Sequence, residues 1–456
     1  EGNPQPVLLL RGVKLDSLRT IGKQKEHFLC QVGGLEAVAF NKSQYINRNT
    51  GLVYHDLAFY LEENDFAGNK RLRLRLQNIR PCPGRNKTRD LSRRPFLSLP
   101  VMLEKELAQG QNTMLVFPTF RALDKGRLYL EYYFGPGAVQ TVHGRMPPLE
   151  RRKTEKSLSG GEVPLCLTTR AFCHYLLSNR LIPDSQSIIE IWPYPYNKAW
   201  QEIVNLKNIR QVKGGWPVPA RVKRTWNYNQ KARAVVYSNR PSTVQTYAAG
   251  RDSHVIIEAG LGINNERLAL RRLFNESVAG ILISDGVCFE EFEGKVDEIV
   301  FADAPFSLFE TASVMEQAAA AGETEIYAVF SQESLEFNRN YLERVYPGQE
   351  TIKTLWDYLV RHYQGYVEIS MDELLAAVKA NVPREWRSQE VNAVLQILCD
   401  LGLCTIEKKG SIMALTISST ASERVNVGNS PYYLEGLAEK EAFQDFEAEL
   451  CKYIVW

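Results

Sequence analysis

The chain has 456 residues, with 55 Lys and Arg against 53 Asp and Glu, 44% hydrophobic and 24% charged residues, and eight cysteines. That length holds three or four domains, and the composition excludes a disordered, collagen-like or disulfide-dense chain. No apolar run approaches the ~18 residues of a membrane span, so no membrane partner is expected. Cys30, Cys166 and Cys399 sit in apolar runs without a C-x-x-C, which predicts reduced core thiols and a cytoplasmic protein. The six histidines are scattered, with no two at metal-ligand spacing, so no metal site and no cofactor is expected in this chain.

Residues 1–95 read as short strands (7–13, 28–32, 35–40) separated by turns such as Gly33-Gly34, then a long run over 59–81. In that run Arg71, Arg73, Arg75 and Gln77 alternate with Leu72, Leu74 and Leu76. Period-two alternation predicts the leucines on a core face and the arginines on the opposite one. At about 3.3 Å per residue, successive arginines stand roughly 6 to 7 Å apart, comparable to phosphates along an extended strand. Lys70 and Arg80 flank the row, and residues 70–94 carry ten Lys and Arg against Asp90 alone. The expected fold is an OB-fold barrel that binds single-stranded DNA. The alternative is an edge strand kept solvated by its charges.

From residue 96 the chain repeats itself. Residues 142–172 and 258–288 match at a constant offset of 116 residues: Gly144 with Gly260, Glu150-Arg151 with Glu266-Arg267, and the apolar run 165–169 with 281–285. Each copy is flanked by further apolar runs (114–120 and 188–195; 234–240 and 298–305), the pattern of buried parallel strands. Two parallel α/β domains are expected, at 96–205 and 233–346. Their order of motifs, with His143-Gly144, Glu150-Arg151 and a strand ending in Thr168-Thr169, resembles the second RecA-like lobe of superfamily 2 helicases. The sequence contains no G-x-x-x-x-G-K-[ST] loop to cradle a nucleotide's phosphates. Where such a lobe carries arginines, Met315 is followed by Glu316, Gln317 and a run of alanines. The resemblance therefore implies helicase-like lobes that do not hydrolyse nucleotide.

Residues 203–251 contain no Asp or Glu but ten Lys and Arg, among them Arg210, Lys213, Arg221, Lys223, Arg224 and Arg240, interleaved with Trp216, Trp226 and Tyr228. A basic, aromatic-bearing linker over 206–232 offers phosphate neutralisation and base stacking together; otherwise its aromatics pack into the lobes. Residues 347–420 show three helical patterns and a hairpin, including a capping box at Ser370 and Glu373, and predict a winged helix. Its third helix would expose Gln389, Glu390, Asn392 and Gln396, a face suited equally to protein contact, packing or DNA. The acidic tail, within 421–456, predicts a surface helix.

The opening Gly2-Asn3-Pro4 and the string 61–81, with Asn64, Gly68, Asn69 and the Arg/Leu ladder running into Arg80-Pro81, resemble the RecJ family of single-strand-specific DNA exonucleases. The helicase-like region and a C-terminal unit around Ser430-Pro431-Tyr432-Tyr433-Leu434 resemble the extension of its longer members. The resemblance implies a non-catalytic region for strand binding and partner docking in DNA repair and recombination. Mn or Mg would be held only by a catalytic half built around an Asp-His-His string, upstream on the same or another chain. A single-strand DNA-binding protein, docking through its acidic tail, is a further partner so implied. A helicase-like nucleotide-dependent motor component or a protein scaffold are the alternative functions. A chain opening in mid-motif at Glu1 reads as the C-terminal part of a larger protein.

Overall fold

The structure is a computed structural model describing residues 6–43, 55–66, 69–81, 95–135, 137–191, 209–212, 222–249, 255–261, 265–286, 292, 294–318, 324–363, 365–418 and 425–450. The first unit contains β1 (Leu8–Val13), β2 (Asp16–Ile21), β3 (His27–Val32), β4 (Leu35–Ala39), β5 (His55–Phe66) and β6 (Asn69–Pro81). Their order is β1-β5-β6-β4-β3-β2. The chain runs from β1 into β2 across Lys14-Leu15, pairing with β5 on one side and β3 on the other. This single first strand, broken by register shifts in each half, thereby wraps the unit as in an OB fold. The break divides the predicted run over 7–13 and the residues after it into two strands. Leu15, Phe28, Cys30, Leu57, Leu74 and Leu76 lie in the core. The leucine ladder holds only in part. Leu74 and Leu76 are 3% and 1% exposed, but Leu72, nearer the hairpin tip, is 54% exposed.

The second unit, lobe 1, contains α1 (Pro95–Ala108), β7 (Thr113–Phe117), α2 (Phe120–Phe134), β8 (Gln140–Thr141), α3 (Pro148–Ser159), β9 (Leu165–Thr169), α4 (Arg170–Ser178), β10 (Ser187–Ile191) and β11 (Arg210–Val212). Lobe 2 contains β12 (Arg233–Tyr237), α5 (Pro241–Ala248), β13 (Val255–Ile257), α6 (Asn265–Glu276), β14 (Gly280–Ser284), β15 (Glu298–Phe301), α7 (Leu308–Ala318) and β16 (Glu325–Ala328), with α8 (Gln332–Val345) beyond it. Both sheets are parallel, ordered β11-β10-β7-β9-β8 and β16-β15-β12-β14-β13, so the duplication extends to topology. Every residue of β7, β9, β12 and β14 is buried, because helices cover both faces. Among the described residues the cysteines are unpaired and no helix is long and apolar enough to cross a membrane.

A winged helix follows: α9 (Gln349–His362), β17 (Tyr366–Ser370), α10 (Met371–Asn381), α11 (Ser388–Asp400), β18 (Cys404–Lys409) and β19 (Ile412–Ile417), with antiparallel order β17-β19-β18. The capping box of Ser370 and Glu373 opens α10 as expected. On α11, Gln389 and Asn392 are exposed as expected, and the other two residues of that face pack. Glu390 is buried and paired with Arg384, and Gln396 donates to the carbonyls of Arg145 and Met146 in lobe 1 at 2.7 and 2.9 Å. The final helix, α12 (Pro431–Leu450), is not a surface helix. Tyr432, Glu435, Glu439, Phe443 and Phe446 are all buried where both lobes meet the winged unit.

Helix α2 connects these units. At its last turn Lys14 of the barrel donates its Nζ to the carbonyls of Tyr133 and Phe134. At its first turns Arg121 and Lys125 meet Glu310 of lobe 2 at 3.0 and 3.3 Å.

Candidate nucleic-acid interface

The β5–β6 hairpin sets the arginine row. Register pairs Arg71 with Asn64, Arg73 with Glu62 and Arg75 with Tyr60, so all three project from one face. Glu62 serves two of them, 3.4 Å from Arg73 and 3.1 Å from Arg75. Both pairs are partly solvated, and surface pairs of this kind contribute at most about 1 kcal/mol, so Glu62 holds the two guanidinium groups only weakly. Arg71 is exposed, and no carboxylate reaches it among the described residues. Arg80 pairs instead with Asp56 at 2.9 Å, and Asp56 also accepts the N–H of Gly12 at 3.1 Å. Arg80 is thereby tied to the barrel wall. Lys70 lies in β6 opposite Asp65. Phe40 is a contributor that sequence reasoning missed: it is 41% exposed, with the Arg75 guanidinium 5.9 Å from its ring and His27 packed edge-on. An exposed aromatic ring beside an arginine row is an arrangement able to stack a base, and its only signal in the sequence was its place directly after the run that forms β4.

The basic connection is distributed differently. Lys213, Trp216 and Arg221 lie outside the described residues, as do residues 82–94 and 319–323. Lys223 forms a bridge to Tyr327 at the edge of the lobe 2 sheet and pairs with Glu325 at 2.5 Å. Arg224 is exposed. Trp226 is half-buried, stacked on Tyr247, with its indole N–H donated to Glu298 at 2.8 Å. Of the other cations, Arg210 pairs with Glu106 and Arg240 with Asp303. The premise of ten uncompensated charges therefore fails. For Arg210, Lys223 and Arg240, carboxylates distant in sequence supply the counter-charge.

A third cluster stands at the C-terminal edge of the lobe 1 sheet, where open α/β sheets place their ligands. The N–H of Gly144 (3.0 Å) and the hydroxyl of Thr169 both donate to Glu435 Oε1, and the N–H of Arg121 donates to Glu439 at 2.7 Å. Burial pushes both glutamates up to about 7, against the opposing pull of Thr169 and Gly144 on Glu435 and of Arg121 on Glu439. His143, between these groups, is held at about 3 by burial and by the charges of Arg145, Arg151 and Arg127. It is therefore neutral at physiological pH. Arg145 lies over the rings of Phe120, Tyr346 and Tyr432. Burial opposes ionisation of Glu310, but Arg121 and Lys125 outweigh it and hold its carboxyl at about 2. The two lobes are thus clamped by a buried ionic node. Among the described residues no group of three His, Cys, Asp or Glu could hold a metal ion.

No curated protein sequence matches the chain. Among solved structures, RecJ from Thermus thermophilus in complex with Mg2+ is similar at 15% identity over 37% of this chain and 24% of that one, with a TM-score of 0.15. Helicase Lhr of Mycobacterium smegmatis bound to ssDNA and AMP-PNP is similar at 12% identity over 71% of this chain and 58% of that one, with a TM-score of 0.26. A hypothetical ATP-dependent RNA helicase from Sulfolobus tokodaii is similar at 14% identity over 53% and 86%, with a TM-score of 0.24. The chain thus spans about a quarter of the length of the RecJ structure it matches. Residues 1–78, the unit that carries the arginine row, match the family model of the RecJ OB domain.

Proposed function

We propose that this chain is a single-stranded DNA-binding and partner-docking region of a RecJ-like exonuclease, which holds a strand for a metal-dependent catalytic core outside the chain. The observation that carries the reading is the row of Arg71, Arg73 and Arg75 on one face of a barrel whose sequence matches the RecJ OB domain. Those arginines meet successive phosphates, and Phe40 stacks a base. Repair and recombination are the setting that such an exonuclease implies. A nucleotide-driven motor is the weaker reading, because the buried Arg121, Lys125 and Glu310 node resists the opening and closing that a motor's lobes require.

The test is fluorescence anisotropy with labelled oligothymidylate across a salt series. Replacing Arg71, Arg73 and Arg75 together by Gln should weaken binding and flatten the log–log salt slope by about 0.7 for each phosphate that is no longer neutralised. An unchanged slope in a folded variant returns the row to a solvated edge.

A further inference from the structure

The two lobes place a cradle of the same kind at the same point of the repeat, filled from different sources. In lobe 2 the N–H of Gly260 donates to Asp285 at 2.9 Å, and the N–H groups of Asn239 and Arg240 after β12 donate to Asp303 at 3.0 and 3.1 Å. Both carboxylates belong to the lobe itself. In lobe 1 the repeat puts Thr169 where lobe 2 has Asp285, and among the described residues no carboxylate of lobe 1 reaches Gly144. The acceptors for Gly144, Thr169 and Arg121 come instead from α12, as Glu435 and Glu439. Those two residues are one helical turn apart, about 6 Å of rise, a spacing of the order of that between successive phosphates on an extended strand.

We propose that α12 is a plug in which Glu435 and Glu439 occupy a lobe 1 site for two successive phosphates of a single nucleic-acid strand, and that a strand binds there by displacing the helix. The proposal rests on the strand-binding reading above. Glu435 Oε2 is buried without a hydrogen-bond partner among the described residues, so the carboxylate uses its seat incompletely. Burial also disfavours the charged form of both glutamates, although Arg121 and Arg145 face them. A phosphodiester stays ionised and offers more acceptor oxygens to the same donors. The flanking pairs of α12, Lys440 with Glu343 and Arg339 with Glu447, are partly exposed and contribute little, so the helix is held by the burial of Tyr432, Phe443 and Phe446, which strand binding must offset.

The seat depends on two close approaches. A Cβ on Gly144 would lie 2.2 Å from the carbonyl of Pro431, and one on Gly436 would lie 2.7 Å from Cβ of Tyr346. Gly436→Ala therefore favours the helix itself while lifting it from its seat, and it leaves every lobe 1 donor in place. The experiment measures labelled oligothymidylate affinity and hydrogen exchange of α12 amides in the full chain, in Gly436→Ala, in Glu435→Gln with Glu439→Gln, and in each form with Arg71, Arg73 and Arg75 changed to Gln. The strand should accelerate exchange in α12. Gly436→Ala should bind on the order of tenfold tighter, since a minor open state is populated at about 10% or less. The glutamine variant covers the case in which Gly436→Ala does not fold. A strand bound through the arginines, with α12 equally protected and both variants binding as the unaltered chain does, overturns the plug and leaves the barrel reading standing. A gain in Gly436→Ala with no effect of the arginines does the reverse, and no binding by any form overturns both.

Discussion

Lobe 1 and lobe 2 are copies that differ in who supplies their counter-charges. In each, the arginine of the repeated Glu-Arg pair ties down the loop before its helix: Arg151 donates to the carbonyls of Gly144 and Met146, and Arg267 to those of Glu258 and Leu261. In lobe 2 the carboxylates are internal, with Asp285 on Arg267, Glu258 on Arg271 and Asp303 on Arg240. Lobe 1 keeps internal pairs such as Glu190 on Arg170, but at the C-terminal edge of its sheet the carboxylates come from elsewhere, with Asp400 of α11 on Arg151, Glu310 of α7 on Arg121, and Glu435 and Glu439 of α12 on the N–H groups of Gly144 and Arg121. A duplicated motif can thus keep its cations and relocate its anions. The copy that relies on neighbours becomes the one whose state they can control.

The largest expected effect breaks the self-contained copy. Asp303 accepts from Ser238, Asn239, Arg240 and Thr243 and is fully buried. Asp303→Ala should cost about 3 to 5 kcal/mol, because it empties a buried seat and strands a partly buried arginine and several donors. Hydrogen exchange should show the loss in lobe 2 and not in the winged unit.

Arg151 and Asp400, 2.8 Å apart, join lobe 1 to the winged helix. A double-mutant cycle of Arg151→Leu and Asp400→Leu, read by chemical denaturation, should give a coupling of about 0.5 to 3 kcal/mol. Asp400→Leu alone should raise exchange in both units, and an effect confined to one would erase the contrast with lobe 2.

The copies should also answer pH in opposite directions. Glu435 and Glu439 have folded values raised from 4.5 to about 7, so the native state holds more protons than the unfolded one between those values. Their stabilisation is complete below about 4.5 and is lost as pH rises through about 7, by at most about 1.4 kcal/mol per pH unit for each group. Burial opposes ionisation of Asp285, but Arg267 prevails and holds its carboxyl below 3.8, so its contribution is present at neutral pH and lost on acidification. Exchange of α12 amides between pH 5 and 8 checks the first sign, and exchange of α6 amides as pH falls below about 4 checks the second. The smallest effect concerns the rim of α12: Lys440→Ala and Arg339→Ala should each shift stability by less than about 1 kcal/mol.

The parallel strands were legible because burial on both faces demands continuous apolar runs, which RAVVY of β12 and LCLTT of β9 display. The repeat was legible because Arg151 and Arg267 do the same backbone-binding work in both copies. Pairings remote in sequence were not. Glu435 meets Gly144 across 291 residues, and nothing local separates a glutamate that caps a distant N–H from one in solvent. Arg210, Lys223 and Arg240 likewise looked uncompensated because Glu106, Glu325 and Asp303 approach them only in space. At the hairpin, alternation correctly separated two faces but not how far the core extends, which is why Leu72 is exposed.

Helix α2 has 15 residues, so it is a strut about 22 Å long. Lys14 holds its C-terminal end to the barrel, and Glu310 and Glu439 hold its N-terminal end. A rigid rod pinned at both ends transmits tilt: any displacement of Lys14 in the barrel is felt at the seat of Arg121 as well. On the strand-binding reading proposed above, that leverage would couple the barrel's grip to the seat of α12 through one helix.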